Sequence, residues 1–322
     1  MPSMRGEPVY SIVIPVYNNA ASLPELVAAL EQVAATVRDR FALTTEAVFV
    51  IDGSPDDSAA VLERLLPTVS FPAQLIRHSR NFGSFAAIRT GLAAARGRHV
   101  GMIAADLQEP PELLVSFLEP LVGGTADIVV GVREGREDPV RTRLSSALFW
   151  RLYRRLVNHE MAAGGVDLFA CTAAVRDQLV RLGEAHSSLV GLVYWVGFRR
   201  VEVGYHRRAR RHGHSGWSLR KRFDYLLDNL FAFTDLPIRL LSLFGLVGTL
   251  VVSLVGLVTV AARLLGIITV PGYAQTLLMV MFFGALNTLG IGLVGHYAWR
   301  TYENTKRRPL AIVSETRRFG RE

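Results

Sequence analysis

The sequence predicts an α/β domain with a mostly parallel sheet, followed by an amphipathic helix and a hairpin of two membrane-spanning helices. Short apolar strands alternate with helical segments over about the first 215 residues, which is typical of repeated β-α units. Two apolar runs without Asp, Glu, Lys or Arg follow, and each is long enough to cross a hydrocarbon core about 30 Å thick. We therefore expect an α/β domain at 1–216, a juxtamembrane amphipathic helix at 217–238, a hairpin at 239–300 with spans at 240–262 and 274–296, and a basic tail at 301–322.

The elements of the α/β domain follow from β-branched runs and from apolar residues at helical spacing. We predict strands at 10–16, 46–51, 73–77, 99–104 and 126–132, and helices at 22–38, 59–66, 81–95 and 112–121. Ser22 is the expected N-cap of the first helix. Because ligands of such sheets bind beyond the carboxyl ends of the strands, the acidic turns at Asp52 and Asp106 should line one crevice.

The net charge of +8 is concentrated beside the two apolar runs. The basic residues in these flanks are Arg207, Arg208, Arg210, Arg211, Arg220, Lys221 and Arg222 before the runs, and Lys306, Arg307, Arg308, Arg317, Arg318 and Arg321 after them. Under the positive-inside rule, this pattern places both flanks in the cytoplasm and the hairpin in the plasma membrane. It favours a membrane surface over nucleic acid as the partner of the charge, since no basic stripe interleaved with aromatic residues occurs elsewhere.

The cysteine content and the N-terminal residues bear on the compartment. Cys171 is the one cysteine, which excludes an internal disulfide and a zinc site built from cysteines. The first eight residues are polar and lead directly into a strand, so we expect no signal peptide. The α/β domain is therefore expected in the cytoplasm.

Asp106 and Gln108 lie in a turn that two prolines keep from continuing as a strand. A carboxylate and an amide oxygen two residues apart point to the same side of an extended segment, where they can share a hard cation. Such a cation would neutralise a diphosphate as it leaves. The alternative is that Asp106 only caps a loop or helix, as aspartate often does before proline-rich turns.

Six short motifs occur in order along the domain. They are Ile14-Pro15-Val16-Tyr17-Asn18, Asp52-Gly53-Ser54 with Asp56, Ser79-Arg80-Asn81-Phe82-Gly83, Ala105-Asp106-Leu107-Gln108-Glu109-Pro110-Pro111-Glu112, Gly131-Val132-Arg133 and Gly164-Gly165-Val166-Asp167. With the C-terminal hairpin, they make the chain resemble glycosyltransferase family 2, especially the polyprenyl-phosphate sugar synthases related to dolichyl-phosphate mannose synthase. The resemblance extends from about residue 10 through both apolar runs.

The resemblance implies a GT-A nucleotide-sugar fold. It implies that Pro15, Tyr17 and Asp52 contact the base and ribose of a UDP- or GDP-linked sugar donor. It also implies that Asp106 and Gln108 hold Mg²⁺ or Mn²⁺ on the donor diphosphate.

The chain departs from the family pattern at two positions near these motifs. Ala104 stands where the family usually has a second acid before the metal-binding aspartate, which puts the grip on the cation in question. Ile51 stands where the family often has Asp or Asn, which loosens the prediction of the nucleotide base.

On the acceptor side, the resemblance makes Asp167 the candidate catalytic base and matches Arg133, Arg141 and Ser145 to the acceptor-phosphate positions. A phosphate monoester has its second pKa near 6, so at pH 7 the acceptor is already mostly a dianion and needs positioning more than deprotonation. Asp167 therefore has two further interpretations, namely orienting the acceptor or sugar hydroxyls, or capping a turn.

The segment 207–217 is basic and contains glycine, so we expect a loop before the membrane. In the family the corresponding loop closes over the substrates and brings positive charge to the diphosphate. The family's lysine is replaced here by Gly216, and Arg208, Arg210 or Arg211 is expected to compensate. The amphipathic segment 219–234 suits a helix lying in the membrane interface, with a surface helix on the domain core as the alternative.

The function expected from these features is that of a membrane-bound inverting glycosyltransferase. It would move a sugar from a nucleotide diphosphate sugar to a polyprenyl phosphate, which in bacteria would be undecaprenyl phosphate. Two rivals are a family-2 transferase with another lipid or glycan acceptor, and a degenerate, non-catalytic membrane scaffold. Asn287, inside the second span, makes a homo-oligomer possible. The sugar and the base stay open.

Overall fold

A computed structural model describes residues 9–135, 151, 154–155, 160–161, 166–184, 187–208, 219–266 and 272–320. Its centre is a sheet of eight strands in the order β7-β5-β6-β4-β1-β2-β3-β8. The strands are β1 Val9–Val16, β2 Thr44–Ile51, β3 Ala73–His78, β4 His99–Met102, β5 Ile128–Gly135, β6 Val166–Thr172, β7 Arg200–His206 and β8 Val313–Phe319. β6 and β8 pair antiparallel with their neighbours, and the other strands run in one direction. The predicted mostly parallel α/β sheet is therefore confirmed.

Helices cover both faces of this sheet. They are α1 Leu23–Phe41, α2 Ser58–Leu65, α3 Ser84–Ala94, α4 Leu113–Val122, α5 Ala173–Arg181 and α6 Leu189–Trp195. The central strand β1 is buried on both sides, because Ile12 and Ile14 pack into one apolar cluster while Val13 packs into the other. A strand buried on both faces needs an unbroken apolar run, which explains why β1 does not alternate with polar residues.

The strands and helices predicted up to residue 132 all occur, with ends that differ by a few residues. Ser22 does stand before the first residue of α1, but its side chain makes no capping bond. Its hydroxyl donates instead to the carbonyl oxygen of Ala105, at 2.7 Å, and ties the start of α1 to the turn after β4. The capping role predicted for Ser22 is therefore wrong.

The two apolar runs form long helices, α8 Leu236–Leu264 and α9 Tyr273–Thr305. By length and composition, Leu236–Ala262 and Met279–Thr305 are candidate membrane spans, and neither is buried by the rest of the protein. The spans predicted at 240–262 and 274–296 lie on these two helices.

The amphipathic segment forms α7, Leu219–Phe233, and it packs on two partners at once. The Ser188 hydroxyl of the α/β domain donates to the amide oxygen of Asn229, at 2.6 Å, and Asn229 is fully buried. On the other side, Arg300 of α9 forms an ion pair with Asp228, at 2.5 Å. These contacts fit the alternative of a helix packed on the domain; an interfacial position of α7 stays a prediction.

The tail after α9 contains β8, which the sequence analysis described only by its charge. β8 pairs antiparallel with β3 and extends the sheet at its edge. An ion pair between Arg77 and Glu315, at 3.3 Å, and a hydrogen bond from the Ser79 N–H to the Ile312 carbonyl oxygen, at 2.9 Å, reinforce the pairing. The chain therefore leaves the α/β domain at α7 and returns to the same sheet after the hairpin.

Deleting residues 309–322 should lower the stability of the α/β domain, because β3 loses its ladder partner. A typical hydrogen bond contributes a net value of about 1 kcal/mol, and a domain of this size loses about 2–4 °C in Tm per kcal/mol, so the loss of about three bonds lowers Tm by roughly 6–12 °C. Thermal unfolding in detergent measures the loss, and deletion of 321–322 alone is the control. An unchanged Tm, or unchanged amide exchange in β3, would contradict the role of β8.

Candidate active site

The predicted donor and acceptor residues lie at one edge of the sheet. β1, β2, β4 and β5 end at this edge, and β6 begins there because it runs in the opposite direction. The loops that follow β1, β2 and β4 carry Tyr17, Asp52 and Asp106. The crevice predicted from the strand ends therefore gathers these three residues, although 89 positions separate Tyr17 from Asp106.

The loops after β1 and β2 are joined by hydrogen bonds from backbone to side chains. The N–H of Asn18 donates to the Ser54 hydroxyl, at 2.8 Å, and the N–H of Ala20 donates to the Asp56 carboxylate, at 2.9 Å. Burial would raise the pKa of Asp56, but hydrogen bonds from Ser54, Ser58 and the Ala20 N–H outweigh it and hold that pKa below its usual value. Tyr17, at 45% exposure, stands open on this braced loop.

Asp52 organises the loop after β3. Its carboxylate accepts hydrogen bonds from the backbone N–H groups of Phe82 and Gly83, both at 2.8 Å, and faces Nδ1 of His78, also at 2.8 Å. Nε2 of the same ring faces the Thr90 hydroxyl, at 2.9 Å, so His78 links the carboxylate to α3. The Asp52 side chain is almost completely buried by these partners. The contact between Asp52 and a nucleotide base stays a prediction.

The pKa of Asp52 reflects this network. Burial would raise it, but the hydrogen bonds from His78, Phe82 and Gly83, together with the charge of His78, lower it below the usual aspartate value. The carboxylate is thus kept ionised as the acceptor that holds the loop after β3.

The backbones of the loops after β2 and β3 pass close to each other at Gly53. Its φ is +59°, and a Cβ added there would lie 2.3 Å from the carbonyl carbon of Arg80 and 2.4 Å from the nitrogen of Asn81. A side chain would therefore be strained and would also collide with backbone. Ile51, the second departure from the family pattern, is buried in the core next to this close approach.

The turn after β4 differs from the extended segment that the sequence analysis assumed. Leu107 has a φ of +56°, so the backbone reverses between Asp106 and Gln108, and the N–H of Gln108 faces the Asp106 carboxylate at 3.3 Å. The assumed geometry is therefore wrong, although the two side chains still belong to one turn. A carboxylate and an amide oxygen at a turn fit Mg²⁺ or Mn²⁺, which take hard oxygen ligands and complete their shell with substrate phosphates and water.

Among the described residues, no three His, Cys, Asp or Glu side chains gather into a metal site. This arrangement agrees with the departure at Ala104, where the family usually supplies a second acid.

The sequence analysis missed Arg207, which follows β7 and reaches the Asp106 turn. Its Nη2 donates to the side-chain oxygen of Gln108, at 2.7 Å, and its Nε lies 3.3 Å from the buried carboxylate of Glu109. The next residue, Arg208, donates its N–H to the Gln108 carbonyl oxygen, at 2.8 Å, and its side chain pairs with Glu112 at 3.6 Å. The turn is thus attached to the start of the basic segment.

On the acceptor side, the described backbone brings two predicted residues to the same edge. Val132 of β5 pairs with Val166 of β6 in an antiparallel register, so Arg133 lies one residue from this pair toward the edge and Asp167 lies one residue from it in the other direction. Asp167 lies in a strand, which removes its interpretation as a turn cap. Arg141, Ser145, Arg210 and Arg211 lie outside the described residues.

A model of a known protein family matches residues 11–182, which is more than half of the chain, and its description is "Glycosyl transferase family 2". The chain belongs to glycosyltransferase family 2. The matched range includes every motif of the resemblance, from Ile14 to Asp167, and with the mostly parallel sheet it confirms the predicted GT-A fold class.

Relatives of this glycosyltransferase match it over nearly its whole length. An uncharacterized glycosyltransferase of Synechocystis is 31% identical, over 95% of this chain and 94% of the relative. An undecaprenyl-phosphate 4-deoxy-4-formamido-L-arabinose transferase of Klebsiella pneumoniae is also 31% identical, over 94% of this chain and 92% of the relative. The solved structure of mannosyltransferase PcManGT from Pyrobaculum calidifontis, in complex with GDP-Man and Mn²⁺, covers 89% of this chain and 88% of that one at 17% identity, with a TM-score of 0.45.

Replacing Asp52 with Asn should destabilise this glycosyltransferase at neutral pH and flatten the acid limb of its stability profile. Because the folded pKa of Asp52 is lowered, its stabilisation is present above the unfolded value of about 3.9 and is lost as the pH falls through the lower folded pKa. Hydrogen bonds to a charged acceptor suggest a loss of about 1.5–3 kcal/mol at pH 7. Thermal unfolding between pH 3 and 8 measures the difference.

The matched control is Asp39→Asn, which removes an exposed carboxylate on α1. It should leave the profile as in the wild type. An Asp52→Asn profile parallel to the wild type throughout the acid range would contradict the assignment.

Proposed function

We propose that this glycosyltransferase is a membrane-bound, inverting enzyme that transfers a sugar from a nucleotide diphosphate sugar to a polyprenyl phosphate. The proposal is supported by one observation about the sheet. The loops after β1, β2 and β4, which carry the predicted donor residues, lie at the same sheet edge as Arg133 and Asp167 of the predicted acceptor side. The Klebsiella relative matches the hairpin as well as the domain, and its name supports an undecaprenyl phosphate acceptor.

On the donor side, the exposed ring of Tyr17 and the partly exposed Pro15 would contact the base and ribose. Asp106 and Gln108 would hold Mg²⁺ or Mn²⁺, which supplies charge neutralisation to the departing diphosphate. The basic segment that begins at Arg207 and Arg208 adds positive charge beside the same turn. A UDP- or GDP-linked donor fits this arrangement.

On the acceptor side, Arg133 would bind the lipid phosphate and Asp167 would orient the sugar hydroxyls. A phosphate oxygen attacks the anomeric carbon in line as the bond between that carbon and the diphosphate oxygen breaks, which inverts the configuration. The nucleoside diphosphate leaves with the bonding electron pair. Since the attacking phosphate is already mostly a dianion at pH 7, Asp167 acts by position rather than by removing a proton.

The hairpin would hold this site at the membrane surface. Because α7 leaves the α/β domain and β8 returns to its sheet, both ends of the hairpin lie on the side of the domain. The basic flanks favour the cytoplasmic face of the plasma membrane for that side. Confining the enzyme and a lipid acceptor to one surface raises their effective concentration.

The decisive test uses the purified chain in detergent with undecaprenyl phosphate and a panel of labelled UDP- and GDP-sugars, with and without Mg²⁺ or Mn²⁺. We expect metal-dependent transfer of label to the lipid phase and a loss of about a hundredfold or more in Asp106→Ala, because neutralisation of the diphosphate is worth several kcal/mol. Transfer to another acceptor would name the rival transferase. The absence of both sugar transfer and metal-dependent nucleotide binding would identify a non-catalytic scaffold.

Replacing Arg133 with Ala should raise the KM for the lipid acceptor by about tenfold to a hundredfold and leave the donor KM nearly unchanged, because a charged hydrogen bond to phosphate is lost. Steady-state kinetics with either substrate varied measures the two constants. Arg199→Ala is the control, because Arg199 pairs with Asp127 just before β7, at the far end of that strand from the site. A rise in donor KM alone would place Arg133 on the donor side.

A further inference from the structure

The turn that carries Asp106 is held from a distant part of the sheet. Arg207 follows β7, whereas the turn follows β4, and β5 and β6 lie between these two strands. At about 4.8 Å per strand, the two chain segments leave the sheet roughly 14 Å apart. Although β4 and β7 are not paired, the backbone N–H of Arg208 donates to the carbonyl oxygen of Gln108, at 2.8 Å, and the side chain of Arg207 adds a second contact.

The contact with Arg207 selects one orientation of the Gln108 amide. Nη2 of Arg207 donates to Oε1 of Gln108, at 2.7 Å, while Nε2 of Gln108 faces the carbonyl oxygen of Arg208, at 3.5 Å. A flipped amide would set its NH₂ group against the guanidinium donors and its oxygen against the carbonyl. The amide oxygen carries two lone pairs, so a hydrogen bond from Arg207 is compatible with coordination of a cation by the same atom.

A guanidinium this close to a cation site would ordinarily repel the cation. Glu109 compensates the positive charge of Arg207, because its carboxylate lies 3.3 Å from Nε of Arg207 and its side chain is 2% exposed. The side chain of Arg207 is only partly buried, and a carboxylate beside its guanidinium weakens the electric field of either group. The pair Arg207–Glu109 therefore fixes Gln108 without adding net charge to the turn.

We propose that Arg207 is a positioning residue for the metal site: it aims the amide oxygen of Gln108 at the divalent cation, and Glu109 neutralises Arg207 so that the cation is not repelled. The inference rests on the proposed use of Asp106 and Gln108 in donor binding. Residues that orient metal ligands from behind typically change metal affinity by about 10–100-fold when they are replaced. The chain has one carboxylate fewer than its family usually has at this turn, at Ala104, so the orientation of Gln108 carries more of the binding.

The test measures Mn²⁺ binding to the full chain in detergent by electron paramagnetic resonance, with UDP or GDP as the diphosphate. Arg207→Met alone would leave Glu109 buried without its partner and risks misfolding. The main variant is therefore Arg207→Met combined with Glu109→Gln, which removes both charges together. Arg207→Lys keeps the charge but loses the forked donor, and Arg199→Met, which breaks the Arg199–Asp127 pair before β7, is the control.

We expect the double variant to unfold within a few degrees of the wild type and to bind Mn²⁺ about 10–100-fold more weakly in the presence of nucleotide. The Mn²⁺ affinity of Arg207→Lys should lie between those of the double variant and the wild type, and that of Arg199→Met should match the wild type. Adding Gln108→Ala to the double variant should weaken Mn²⁺ binding only slightly further, because the amide has already lost its orientation.

The possible results distinguish a failure of this inference from a failure of the proposed function. A folded double variant that binds Mn²⁺ and nucleotide as tightly as the wild type would overturn the role of Arg207 and leave the proposed function intact. A wild-type chain without metal-dependent nucleotide binding would overturn both. A double variant with weaker binding but full additivity with Gln108→Ala would show that Arg207 acts without Gln108, and would also overturn the inference.

Discussion

Hydrogen bonding at the edge where the strands end is the constraint on which the site depends. Inside the sheet, the ladders pair the backbone groups, but the loops beyond the strand ends need other partners. Neighbouring loops provide them through side chains: Asp52 binds the loop after β3, Asp56 and Ser54 bind the loop after β1, and Ser22 binds the turn after β4. The crevice is therefore built from loops that hold one another, and a change in one loop is felt in the next.

The hairpin is bound to this framework by its two ends. α7 joins the α/β domain through Asn229 and joins α9 through Asp228, and β8 adds the chain after α9 to the edge of the sheet. The hydrogen bond from Ser79 to Ile312 places the C-terminal segment directly beside the loop that Asp52 holds. The hairpin and the loops of the candidate site are thus parts of one packed structure.

Among the described residues beside the turn after β4, charges are arranged in pairs. Arg207 with Glu109 and Arg208 with Glu112 flank the turn that carries Asp106. Pairing weakens the electric field of each arginine, and it leaves the pairs able to reorganise when a further charge arrives.

Much of this protein was determined by its sequence alone. The apolar strand runs, the helices between them, the two long spans and the motif order predicted the α/β fold, the hairpin and the family, because hydrophobic periodicity and turn residues act locally. The tertiary structure decided what depends on residues far apart in the chain. The partnership of His78 with Asp52, the reach of Arg207 to Gln108, and the return of β8 to β3 could not be predicted, since no local pattern encodes a contact between distant segments. Ser22 shows the same limit, because its hydroxyl donates to the carbonyl oxygen of Ala105, which only the packed sheet brings within reach.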